Sequence, residues 1–251
     1  MVVYAIIPAA GIGSRMRSSV PKQYLPLCGS TVLLHCIRAL LALPDVARLV
    51  IALNPVDPWW PQTRGQLSDS ELQRIVTCEG GAERWQSVQA ALQLISQQSQ
   101  QNDWVLVHDA VRPCVREQDL RALLDFCGAA GASMSGALLA TPVSDTLKRA
   151  AVDGSVQATV DRSQLWAACT PQMFRVGELL AALNQCAQSG ITVTDESSAI
   201  ERAGGAGGAG GNIQLIPCHK DNIKITYPED LQLAEWILQA RLPSSLLSAG
   251  A

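Results

Sequence analysis

The 251-residue chain contains no CxxC pair and no apolar stretch approaching the roughly 18 residues that would cross a bilayer. Its eight cysteines fall mostly among apolar neighbours. They read as small core residues in a reducing compartment, which excludes a disulfide scaffold and a cysteine metal cluster. Positive charge is also scarce: 19 Lys and Arg against 22 Asp and Glu leave a formal net charge of −3. That balance excludes a broad electrostatic footprint for nucleic acid or an anionic membrane. Any anionic ligand must be held by a local cluster of cations. The first residues lack a basic stretch and VVYAII (2–7) is too short for a span, so a cytoplasmic protein is expected.

What the chain does have is regular alternation. VVYAIIP (2–8), RLVIALN (48–54), RIVTC (74–78), WVLVH (104–108) and SGALLAT (135–141) are short apolar runs ending in polar or turn residues, and they read as strands. Between them STVLLHCIRALLAL (30–43), ERWQSVQAALQLI (83–95) and EQDLRALLDFCGAAG (117–131) carry helical spacing. Apolar strands alternating with helices imply an α/β fold, a Rossmann-like, mostly parallel sheet covered on both faces, over a single domain at 1–242. Ligands then belong beyond the carboxyl ends of the strands. Two segments break the pattern. Residues 142–175 alternate polar and apolar around Asp153-Gly154, a hairpin signal, and are expected to form a protruding β-arm. The glycine-rich 203–211 is expected to be a flexible loop and 243–251 a poorly ordered tail.

The first strand runs into PAAGIGSRM (8–16) and then PKQYL (21–25). A third glycine is absent, since Met16 stands where a dinucleotide fingerprint would have one, and there is no Gly-Lys-Thr of a Walker loop. Pro8, Ala9, Ala10, Gly11 and Gly13 nevertheless let a nucleotide approach the backbone, with amide N–H groups turned to its phosphates. Arg15 and Lys22 add two full positive charges, or are simply two surface cations. In WVLVHDAVRP (104–113) a strand ends at Asp109, where a carboxylate would meet a metal bound to nucleotide phosphates; Arg112 follows and His108 is assigned no role. EGGAERWQSV (79–88) offers a close backbone approach at Gly80-Gly81, then Arg84 and Ser87 to read the polar edge of a base. Thr194 opens TDESSAIE, where a helix N-cap explains it fully. Lys224 in DNIKITYPEDL is read as lying on a short strand before a helix start at Pro228.

PAAGIGSRM with PKQYL, GGAERWQSV, HDAVRP, TVDR, CTPQMF, TDESSA and DNIKIT occur in one order over about residues 3–240. In this the chain resembles the 2-C-methyl-D-erythritol 4-phosphate cytidylyltransferase family. The resemblance implies a homodimeric, Mg²⁺-dependent enzyme of isoprenoid precursor biosynthesis, in which CTP and methylerythritol phosphate react and each arm contacts the partner. It implies Arg15, Lys22 and Lys224 around the triphosphate, with Asp109 meeting metal and sugar. Ala9, Ala10, Gly81 and Ser87, with Gly11, Gly13 and Arg84 beside them, match the nucleotide site. Thr194, Arg162 and Thr170, with Thr146, Thr226 and Arg112, fall around the acceptor. Ala82 departs from relatives that carry an acidic residue there. A ribitol 5-phosphate cytidylyltransferase would share the nucleotide motifs; a non-catalytic nucleotide-binding module would need no cation clamp plus metal ligand. A nicotinamide dehydrogenase would need the missing glycine and an acidic residue where the chain has Asn54.

Overall fold

The structure, a computed structural model, describes residues 1–11, 19–131, 134–203 and 212–241. The chain begins with β1 (Val3–Pro8), a small hairpin of β2 (Pro26–Leu27) and β3 (Ser30–Thr31), and α1 (Val32–Leu41). Next come β4 (Val46–Leu53), two short helices α2 (Trp60–Arg64) and α3 (Asp69–Leu72), β5 (Ile75–Glu79) and α4 (Arg84–Ser96). The middle of the chain holds β6 (Trp104–Val107), α5 (Glu117–Ala129), β7 (Gly136–Pro142), β8 (Leu147–Ala150) and β9 (Val156–Val160). Last are β10 (Trp166–Arg175), α6 (Val176–Gln188), α7 (Glu196–Ala203), β11 (Ile213–Pro217) and α8 (Pro228–Gln239).

Seven strands form one sheet in the order β11-β7-β10-β6-β1-β4-β5. Every neighbouring pair is parallel except those of β10, which runs antiparallel to both β6 and β7. The period of two along a strand explains the two cores. Val3, Ala5 and Ile7 of β1 join Trp104 and Leu106 of β6 against α1 and α5, whereas Tyr4 and Ile6 join Val105 and Val107 against α4, α6 and α7. A strand buried on both faces has no polar register to show, which is why VYAIIP reads as a continuous apolar run.

Three features differ from the sequence reading. The arm is shorter than 142–175: β8 and β9 pair in a sheet of their own, but β10 returns into the main sheet, with Cys169 to Phe174 buried. Lys224 is not on a strand, because residues 222–226 run as irregular chain. Thr194 is not the cap of α7; Asp195 is, its Oδ1 accepting from Ser198 N at 3.0 Å. Of the expected loop at 203–211, Ala203 closes α7 and residues 204–211 lie outside the described residues, as do 243–251.

Candidate active site

The chain leaves β1 towards β4 on one side and later enters β6 on the other, so β1 and β6 flank a topological switch point. Such a crevice, beyond the carboxyl ends, is where open α/β sheets take ligands. A cavity of about 280 Å³ lies there, with Pro8 to Gly11, Lys22, Gly81, Asp109 and Lys224 in its walls.

The floor is set by backbone. Ala9 N continues the β1–β4 ladder to Ala52 O at 2.8 Å, and the amide of Gln23 donates to Ala9 O at 2.8 Å and Gly11 O at 2.9 Å. Gln23 is buried and holds the chain from Ala9 to Gly11 where it leaves β1. Sequence reasoning passed it over as one polar residue in PKQYL, since nothing local marks a glutamine as buried. Gly80 is obligatory for closeness: a Cβ there would sit 2.6 Å from Ala10 Cβ and 2.7 Å from Ser87 Oγ. Ser87 Oγ in turn accepts from Gly81 N at 3.1 Å, so its first task is to hold this turn.

Charge converges on one carboxylate. Asp109 is 5 % exposed; its Oδ1 accepts from Arg84 Nε at 2.8 Å, its Oδ2 lies 2.9 Å from Lys224 Nζ, and Arg112 Nε is 3.5 Å away. Burial favours the neutral acid, but Arg84, Lys224 and Arg112 together outweigh it and hold the carboxyl well below its usual range. The cluster is fixed from behind. Asp109 N donates to Thr170 Oγ1 at 3.0 Å, Thr170 Oγ1 lies 3.1 Å from His108 Nδ1, and His108 Nε2 lies 3.0 Å from Arg112 O. A carbonyl can only accept, so Nε2 carries the ring proton and Nδ1 accepts from the Thr170 hydroxyl. His108 is thus a neutral, hydrogen-bonded structural residue, its pKa pushed down to about 4 by burial.

Lys224 reaches the cleft because its neighbour is anchored. Ile225 is fully buried with Leu27, Val32, Val111 and Cys114, and its N–H donates to Val111 O at 2.9 Å. Asp230 of α8 accepts from Thr226 N and Tyr227 N, both at 2.8 Å, and pins the other end of the segment. Lys22 is tied to the same segment through Nζ and Ile225 O at 2.9 Å.

The sequence-predicted residues therefore separate. Ala9, Ala10, Gly11, Lys22, Gly81, Arg84, Ser87, Asp109 and Lys224 meet at one cleft. Arg15 and Gly13 lie outside the described residues. Arg112 stands behind Asp109 and donates to Asn222 O at 2.6 Å, while Thr170 has both hydroxyl bonds committed and Thr226 donates to Lys224 O at 3.1 Å. Thr194 donates to Ser198 Oγ at 3.3 Å before α7. Thr146 and Arg162 are exposed at the arm, where Arg162 donates to Ser144 O.

Two lysines and one carboxylate thus line a crevice at a switch point, beside a turn of close backbone approach. The sequence profile described as 2-C-methyl-D-erythritol 4-phosphate cytidylyltransferase matches residues 3–240. A protein of that name from Pseudomonas putida (strain GB-1) is 47% identical over 237 residues, 94% of both chains. One from Vibrio vulnificus (strain YJ016) is 44% identical over 234 residues, 93% of both. The crystal structure of the Francisella tularensis 2-C-methyl-D-erythritol 4-phosphate cytidylyltransferase superposes with a TM-score of 0.77 at 34% identity, covering 94% of this chain and all of that one. On this profile, these relatives and this fold, the chain belongs to the 2-C-methyl-D-erythritol 4-phosphate cytidylyltransferase family, nucleotidyltransferases of isoprenoid precursor biosynthesis.

Proposed function

We propose that the cleft joins CTP and methylerythritol 4-phosphate by direct in-line displacement, in a cytoplasmic homodimer that uses Mg²⁺. An oxygen of the acceptor's 4-phosphate forms a bond to the α-phosphorus of CTP as the bond to the β-phosphate oxygen breaks, and pyrophosphate leaves with that electron pair. Diphosphocytidyl-methylerythritol is the other product, and no covalent enzyme intermediate is needed. Such chemistry depends on positioning and charge stabilisation, with little covalent work for side chains.

The observation that carries this reading is the meeting of Lys22, Lys224 and Asp109 beyond the ends of β1 and β6. The triphosphate lies along the Ala9–Gly11 backbone. Lys22, Lys224 and, by the family resemblance, Arg15 face the charge that builds at the α-phosphate, and Lys224 exchanges Asp109 for a phosphate oxygen. Among the described residues no group of three or more His, Cys, Asp and Glu could hold a metal alone. The donor set suits Mg²⁺, which takes one or two carboxylates and completes its shell with phosphate oxygens and water. Asp109 would hold it, and when bound it neutralises phosphate charge. The eight free cysteines fit a reducing cytoplasm. The exposed β8–β9 pair, with Val152 and Val156 open to solvent, supports an arm that packs on a second copy and brings Arg162 to its acceptor phosphate.

The test is pyrophosphate release with each nucleoside triphosphate in turn, with methylerythritol 4-phosphate or ribitol 5-phosphate as acceptor. CTP with methylerythritol 4-phosphate is the expected best pair. Faster turnover with ribitol 5-phosphate, or equal use of GTP, contradicts the assignment.

A further inference from the structure

Glu196 opens α7 and has no part in the reading above, yet it is only 1 % exposed and faces the cleft's charge cluster. Its Oε1 accepts from Arg84 Nη1 at 2.6 Å and its Oε2 from Arg84 Nη2 at 3.1 Å. The Nε of the same guanidinium donates to Asp109 Oδ1 at 2.8 Å. A planar fork gripped along both edges cannot turn without breaking three charge-assisted bonds. Glu196 is itself held: Ser197 N donates to Gln172 Oε1 at 3.0 Å, and Gln172 donates to Asp195 Oδ2 at 2.8 Å, which ties the start of α7 to β10.

Two consequences follow from this chain of contacts. Asp109 Oδ1 is oriented by a group that cannot move, so Oδ2 is the oxygen left to Lys224 at 2.9 Å. Arg84 also borders the cleft, where a free guanidinium would fork onto incoming phosphates. Glu196 neutralises it and keeps it where it is.

We propose that Glu196 is a positioning residue: by clamping Arg84 it fixes the direction of the Asp109 carboxylate and makes Lys224, not Arg84, the cation that changes partner when nucleotide enters. The inference rests on the assignment of Asp109 as the metal-facing carboxylate.

The experiment compares Glu196→Gln, Arg84→Gln, their double variant and Asp109→Asn with the unaltered chain. It reads kcat, the KM for CTP, and the Mn²⁺ affinity of the CTP-loaded protein by electron paramagnetic resonance. Glu196→Gln is expected to lower kcat and weaken Mn²⁺ about tenfold each, the usual size of an effect one shell behind a metal ligand, with the KM for CTP changed less. In the Arg84→Gln background the same substitution should add nothing, because its effect passes through Arg84. If Glu196→Gln does not fold, Glu196→Asp, which keeps the charge but shortens the grip, carries the same readings. A folded variant with unaltered kcat and Mn²⁺ affinity overturns the inference, as does an equal further loss in the Arg84→Gln background. Asp109→Asn separates the two claims. A shift there without one in Glu196→Gln overturns this inference alone, whereas no shift in either removes the assignment of Asp109.

Discussion

Asp109 and His108 are neighbours with opposite needs: the first is kept charged by three cations, the second neutral by burial. Their effects on stability fall in different windows. A buried imidazole whose pKa drops from 6.5 to about 4 leaves the unfolded chain binding more protons between those values, so stability falls as pH falls through that range. The shift corresponds to about 3 kcal/mol. Asp109, depressed, contributes fully above its ordinary pKa and loses that contribution only below about pH 3.8. Urea midpoints between pH 7 and 4, taken in EDTA, should therefore decline, and His108→Gln should flatten the slope. An unchanged slope would mean that His108 titrates normally. At this scale the meeting of Lys22, Asp109 and Lys224 at one cleft was legible from the ordered motifs that carry them, PKQYL, HDAVRP and DNIKIT. The grip of Glu196 on Arg84 was not, because its partners stand 112 residues apart. Neither was the committed Thr170 hydroxyl, which looks in sequence like any strand threonine.

Among the elements, the turn from β5 into α4 is the tightest part of the site. With Gly80 facing Ala10 and Ser87, Gly80→Ala must push the turn away from Ala10. Overpacking of this kind typically costs about 1–3 kcal/mol. The expected result is a lower thermal midpoint together with a raised KM for CTP; native values of both would show that the turn has slack. β1, β4, β5, β6 and β7 were readable as apolar runs, and α1, α4 and α5 by spacing. β10 was absorbed into the arm because its polar and apolar residues continue the hairpin's alternation, and only pairing with β6 and β7 reveals its place. α6 carries ordinary helical spacing in Val176, Leu179, Ala182, Leu183 and Cys186, so its signal was present in the sequence and was not drawn upon.

For the whole molecule, the one antiparallel strand of the seven-stranded sheet, β10, decides what the arm can do. β10 carries the chain back from the exposed β8–β9 pair straight to Thr170 behind Asp109, so arm and cleft are joined by one continuous strand. If each arm serves a partner's cleft, inactive Arg162→Ala subunits mixed with inactive Lys22→Ala subunits should recover about one quarter of normal activity, because half the dimers are mixed and each has one intact site. Recovery absent after verified exchange would confine Arg162 to its own chain. In the β1–β6 crevice Lys22 is proposed to serve the charge developing at the α-phosphate of a bound nucleotide. The most direct test is the single-turnover rate of pyrophosphate release from CTP and methylerythritol 4-phosphate by Lys22→Ala, with folding checked by thermal midpoint. The account predicts a rate about 10²–10³-fold below that of the unaltered chain at an unchanged midpoint; a folded variant turning over at the original rate would contradict it.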